Sequence, residues 1–158
     1  MIKKIISGGQ TGADRGGLDA AIKLNIPHGG WCPQGRRAED GSISLRYSLT
    51  ETSGRDYRIR TEKNVVASDL TLVFTPGKAT GGSLQTIKYA QQHNKNCYHF
   101  DILQSKNENL HLLYHVLVNF DGVLNIAGSR ESKFPGIRVY VENILCEVIT
   151  DIQKKGSL

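Results

Sequence analysis

The chain has 158 residues, 39% hydrophobic and 22% charged, with a net charge of +5. That length suits one domain with a buried core; no run approaches the ~18 apolar residues that cross a bilayer, and no nucleic-acid-reading motif accompanies the modest positive charge. Cys32, Cys97 and Cys146 are far apart and odd in number, which argues against a disulfide scaffold and for a reducing cytoplasm.

In chain order, the apolar start is too short for a secretory signal and reads as a first strand, about 2–7. A helix over about 13–24 follows, with Leu18, Ala21 and Ile22 at helical spacing. Asn25 to Trp31 reads as a short strand ending in a turn. Residues 32–60 lack clear periodicity, and a loop that long in a compact domain is usually a lid or a binding loop. It holds Tyr47, Tyr57 and six of the nine arginines, namely Arg36, Arg37, Arg46, Arg55, Arg58 and Arg60. Arginine suits bidentate contacts to phosphate or carboxylate. The plainer alternative is a solvated loop balanced by Glu39, Asp40, Glu51 and Asp56. Residues 61–68 read as a short helix with Thr61 as its cap. A strand over 70–74, a helix over about 82–94, a strand over 97–100 and a helix faced by Leu110, Leu113, Tyr114, Leu117 and Val118 come next. A strand over 123–127 leads to the last helix, about 136–154, which Pro135 introduces.

This alternation, without repeat or linker, predicts a single α/β domain over 1–158, a Rossmann-like three-layer αβα sandwich with a mostly parallel sheet. Three strand-to-helix turns are rich in glycine and hydroxyls: Ser7 to Gly16, Thr75 to Ser83, and Gly128 to Ser132. In a parallel sheet such turns share one edge, at the carboxyl ends of the strands, where open α/β folds bind ligands. The first offers Gly8, Gly9 and Gly12 as a backbone cradle, free N–H groups, Gln10, the Thr11 hydroxyl, and the pair Asp14 and Arg15. It fits neither the Walker loop nor the dinucleotide fingerprint. Asp14 either orients a ligand or caps the helix. The second is the better phosphate cradle, with Gly77, Lys78, Thr80, Gly81, Gly82 and Ser83 at a helix start. The third adds Asn125, Gly128, Ser129, Arg130, Glu131 and Ser132, with Glu131 a second orienting acid. Arg36 or Arg130 would neutralise charge. Polar groups converging from three strands predict a pocket for a small anionic, phosphate-bearing ligand.

Other chemistry is fainter. His111 and His115 sit four apart on one helical face, as zinc ligands can, but in a leucine-rich helix with no glutamate between them. That context favours ordinary histidines. Cys32 and His28 share a region but show no third partner, and Cys97 and Cys146 read as buried side chains.

Ser7-Gly8-Gly9-Gln10-Thr11-Gly12-Ala13-Asp14-Arg15-Gly16, Gly35 to Gly41 with Tyr47, Arg60-Thr61 with Asn64, Thr80-Gly81-Gly82, and Asn125 to Ser132 occur in this order. Together they resemble the putative molybdenum carrier family, within the superfamily that also holds cytokinin-activating phosphoribohydrolases and DNA-processing Rossmann proteins. The resemblance implies a Rossmann-like fold, a pocket at the carboxyl ends of the strands, homo-oligomers, and as ligand the molybdenum cofactor or a nucleotide. It leaves metal dependence open. Two alternatives stand beside a carrier: a nucleotide N-glycosidic hydrolase and a nucleotide-sensing module. The phosphoribohydrolases carry Pro-Gly-Gly-x-Gly-Thr-x-x-Glu with a catalytic glutamate, whereas the comparable turn here ends in Gln85, which cannot take a proton as a carboxylate does.

Overall fold

The computed structural model describes residues 1–156. The elements in order are β1 (Ile2–Ile6), α1 (Ala13–Lys23), β2 (His28–Gly29), β3 (Trp31–Cys32), β4 (Arg37–Ala38), β5 (Gly41–Ser42), β6 (Thr50–Glu51), α2 (Tyr57–Val66), β7 (Leu70–Thr75), α3 (Gly81–Gln92), β8 (Asn96–Asp101), α4 (Lys106–Leu117), β9 (Gly122–Gly128) and α5 (Ile137–Gly156). Five strands form one sheet in the order β2-β1-β9-β7-β8, every pairing parallel. Strands covered on both faces read as continuous apolar runs rather than alternations, and all six residues of β7 are buried. Helices α1 and α4 both pack on α5 while α2 packs on α3, so the α/β fold is the Rossmann-like sandwich expected from the alternation. α5 buries Ile137, Val141, Ile144, Leu145, Val148 and Ile149, the spacing of one helical face. No helix among the described residues is long and apolar enough to cross a membrane.

The segment 32–60 is more ordered than its lack of periodicity suggests. It carries two small sheets, β3 with β6 and β4 with β5, and a core of its own in which Cys32, Ala38, Ile43 and Tyr47 pack on Leu18 of α1. Arg36 organises it. Its guanidinium donates to the carbonyls of Ile43 (3.0 Å), Ser44 (2.8 Å), Tyr47 (2.7 Å) and Leu49 (3.3 Å). These contacts join residues close in space but aperiodic in sequence, which hydrophobic spacing does not reveal.

Helix α2 starts four residues before the expected Thr61. The Asp56 side chain accepts from Arg58 N at 2.9 Å and caps the helix. Thr61 lies inside it, its hydroxyl donating to Tyr57 O at 2.8 Å. The shift turns Tyr57, Arg58 and Arg60 from loop residues into the first turn of a helix.

Candidate functional site

The three turns meet around a cavity of about 210 Å³ at the carboxyl ends of β1, β7 and β9. Gln10 and Asp14 come from the first turn, Thr80 to Ser83 from the second, Gly128 to Arg130 and Lys133 from the third. The fourth wall is the first turn of α2, with Tyr57, Arg58, Arg60 and Thr61.

Around the first turn the polar groups already have partners. The Ser7 hydroxyl donates to Asp14 O and accepts from Gly9 N. Gln10 N donates to the Asp14 carboxylate (3.1 Å), Thr11 N to the Gln10 side-chain oxygen (3.0 Å), and Ala13 N to Ser129 O (3.1 Å). Of the expected free N–H groups, those of Gly9, Gln10 and Thr11 are therefore engaged within the protein. Arg15 is buried too. Its guanidinium forms a two-pronged ion pair with Asp40 (2.6 and 2.8 Å) and donates to Gly9 O. The Thr11 hydroxyl donates to Glu39 and accepts from Glu131 N, and Glu39 also holds Ser132 N and Oγ. Glu39 thereby fastens the third turn to the first.

The second turn is different. Thr80 is the N-cap of α3, yet no side chain caps the helix and its first turn holds no acid. Helix starts leave their first N–H groups without intrahelical partners, and here the first three residues, Gly81, Gly82 and Ser83, line the cavity. Lys133 Nζ reaches across from the third turn to the Thr80 hydroxyl.

Not every residue singled out from the sequence lines the cavity. Gln10, Asp14, Thr80, Gly81, Gly82, Ser83, Gly128 and Arg130 do. Asn125 is buried between strands, donating to Thr71 Oγ1 at 3.2 Å. Glu131 accepts from Gly136 N and Arg138 N and so caps α5. Arg36 serves the loop carbonyls, and Gly8, Gly9, Thr11, Gly12 and Arg15 form the support behind the wall. Of the two cations expected to neutralise charge, Arg130 lines the cavity and Arg36 does not; the residues of the arginine cluster in the wall are Arg58 and Arg60. The signal was the Asp56 cap, because a helix starting at Tyr57 puts these arginines in its first turn.

Arg60 pairs with Asp14 at 3.0 Å, both side chains nearly covered. Its guanidinium and that of Arg37 lie over the Tyr57 ring, 5.6 and 4.7 Å from the centroid. Burial raises the Asp14 carboxyl above its ordinary value, although Arg60 and the Gln10 N–H oppose it. For Glu39, burial also pushes upward, but hydrogen bonds from Ser132 and Thr11 outweigh it and hold the carboxyl low. Hydrogen bonding from Arg15 lowers Asp40. Asp14 is the one carboxylate in the lining, and Gln85 stands in the wall with no ionisable group.

Three buried side-chain atoms among the described residues have no hydrogen-bond partner: Gln10 Nε2, Arg60 Nε and Ser129 Oγ. All three residues line this one cavity. The orientation of the Gln10 amide is fixed, because its oxygen accepts from both Thr11 N (3.0 Å) and Glu39 N (2.9 Å), leaving the NH2 as the group without an acceptor.

These features define a Rossmann-like protein with a donor-rich pocket at the carboxyl edge of its sheet. The chain belongs to the circularly permutated YpsA SLOG family, whose model matches residues 5–149. It is similar to the crystal structure of a protein from Syntrophus aciditrophicus SB named putative molybdenum carrier protein, with 47% identity over 93% of this chain and 94% of that one, and a TM-score of 0.86. The motifs quoted from the sequence thus pointed to the right relatives. No curated protein matches the chain.

Proposed function

We propose that the protein binds, and as a carrier holds, a small phosphate-bearing ligand in the cavity between the three turns, with molybdenum cofactor the first candidate and a nucleotide the second. The observation that carries this reading is the grouping of the three orphaned polar atoms. An unsatisfied buried polar group costs about 1–3 kcal/mol, and native proteins hold few of them. Two of these three can only donate and the Ser129 hydroxyl can donate as well, so the ligand that suits them is rich in acceptor oxygens.

In this reading the N–H groups of Gly81, Gly82 and Ser83 cradle an oxyanion, with the Thr80 and Ser83 hydroxyls beside it. Arg130 and Lys133 supply positive charge. Gln10, Asp14 and Ser129 set the orientation, while Gly8, Gly9, Thr11, Gly12 and Arg15 hold the support. The cavity is smaller than the roughly 300 Å³ at the lower end of small-molecule sites, so it encloses the anionic end and leaves the remainder over Tyr57 and Arg58. The name of the Syntrophus protein supports the carrier choice. Residence in the cytoplasm and assembly with like chains belong to the same proposal, and the three free cysteines suit a reducing compartment.

One observation favours the hydrolase alternative: Asp14 lies in the wall with its carboxyl raised by burial, as a general acid requires. A thermal-shift panel with molybdenum cofactor, molybdate, AMP, GMP, ADP-ribose and NAD separates the readings. A ligand at a hundredfold excess over its dissociation constant stabilises by about 2.7 kcal/mol, which for a domain this size raises the melting temperature by roughly 5–10 °C. A shift with the pterin cofactor alone supports the carrier. Nucleotide turnover that Asp14→Asn abolishes supports the hydrolase instead. No shift with any phosphate-bearing compound removes the proposal.

A further inference from the structure

A second cavity lies in the groove between α4 and α5, lined by Leu110, His111, Tyr114, His115, Glu147, Val148, Asp151 and Lys155. It shares no residue with the cavity at the three turns. His111 and His115, one helical turn apart, are exposed but turn toward each other. Their rings meet edge to face with centroids 4.3 Å apart, and the two Nε2 atoms lie 3.1 Å from each other. The two Nε2 atoms are hydrogen-bonded to each other, one ring donating and the other accepting; once both rings carry their proton on Nδ1, both Nε2 lone pairs are available on the same face of α4.

We propose that His111 and His115 form a two-histidine chelate for a divalent transition metal ion, with copper(II) bound more tightly than nickel(II) or zinc(II). The span fits the chemistry. Two imidazole nitrogens at roughly 2.0–2.1 Å from a metal stand about 3 Å apart when the angle between them is near a right angle, the arrangement that tetragonal copper(II) and nickel(II) favour. Helical spacing of four keeps both rings on one face. Imidazole suits these metals, and the order of affinity for nitrogen sites places copper(II) first.

The remaining coordination positions stay open to water or to an outside ligand. Glu147 and Asp151 line the same groove, but each is already paired with a lysine, Glu147 with Lys106 at 2.9 Å and Asp151 with Lys155 at 2.8 Å. No group of three or more histidine, cysteine or acidic side chains among the described residues is placed to hold a metal. The chelate is therefore a two-point site, exchangeable rather than structural. The other three histidines contact neighbouring groups: His28 accepts from Ser48 N, His93 pairs with Glu62, and His99 meets Thr75.

The test is titration of the full chain with copper(II), nickel(II) and zinc(II) chlorides by calorimetry, beside His111→Ala and His115→Ala. Both histidines are exposed, so neither variant threatens the fold. The expected result is one saturable copper site per chain, weakened about a hundredfold when either ring is removed, since the second contact of a linked pair contributes on that order. Paramagnetic resonance of the copper-loaded protein should show two equivalent nitrogens, and one in either variant. Equal affinity in the wild type and both variants, or a spectrum unchanged by the substitutions, overturns the proposal. Failure of phosphate-bearing ligands to bind at the other cavity leaves it untouched.

Discussion

The first and second glycine-rich turns stand at the same edge of the sheet, on either side of β9, yet their glycines meet opposite surroundings. A Cβ on Gly8 would lie 1.6 Å from Arg60 Nη1, and one on Gly12, at φ +82°, would lie 2.3 Å from Ser129 O. Around Gly81 and Gly82 there is nothing within 4 Å. The first turn uses glycine so that an arginine and a neighbouring turn can close over it. The second uses glycine at a helix start that faces open space. Both turns are rich in glycine, and the difference is one of packing: a backbone cradle needs N–H groups that the protein has not already paired, and of the two turns the second starts a helix with no side-chain cap.

The largest effect expected from this contrast comes from Arg60, which joins α2 to the first turn through Asp14. Arg60→Met leaves a buried carboxylate without its counter-charge, and breaking such a pair costs about 3–5 kcal/mol. Thermal unfolding should show a fall of roughly 6–20 °C. The double variant Asp14→Leu with Arg60→Met should recover much of this, because a buried pair replaced as a unit by apolar groups is often neutral. A double variant no better than the single would mean that the pair itself is not what holds α2 in place.

Next in size is Gly12→Val. The positive φ and the contact with the Ser129 carbonyl together should cost roughly 2–4 kcal/mol. Set against it, Gly82→Val should change unfolding by less than about 0.5 kcal/mol while abolishing the thermal shift given by whichever ligand stabilises the wild type. Equal destabilisation by the two substitutions would erase the distinction between the turns.

Much of the fold was legible because parallel strands buried on both faces and amphipathic helices leave strong patterns, as in Leu70 to Phe74 and the α5 face. The positions of the three turns followed from that alternation. What the sequence did not disclose is which polar groups satisfy one another. Arg36 and Arg60 belong to one cluster, but the first donates to four backbone carbonyls and the second pairs with a carboxylate 46 positions away. Glu131 had the look of an orienting acid and instead caps α5. Such assignments depend on how segments distant in the chain come together, which local spacing does not encode. The orphaned atoms of Gln10, Arg60 and Ser129 are likewise visible only after every other donor has found its acceptor.

The smallest effect concerns acid stability, where the two sides of the first turn carry opposite signs. Asp40 is held low by Arg15, and Glu39 by Ser132 and Thr11. A carboxyl with a depressed value favours the folded state above its unfolded value, near pH 4, and that contribution disappears as the pH falls through the folded value. Asp14, raised by burial, contributes in the other direction: its share is complete below the unfolded value and declines as the pH rises through the folded one. Asp40→Asn removes one of the depressed groups and leaves Asp14 intact. Melting temperature followed downward from pH 6 should therefore decline less steeply below about pH 4 in the variant than in the wild type. Arg15 would keep its bond to Gly9 O in either protein, so a loss of stability equal at every pH would assign Asp40 a packing role in the 32–60 segment and not an electrostatic one. Parallel curves would thus separate the charge of this clamp from its shape.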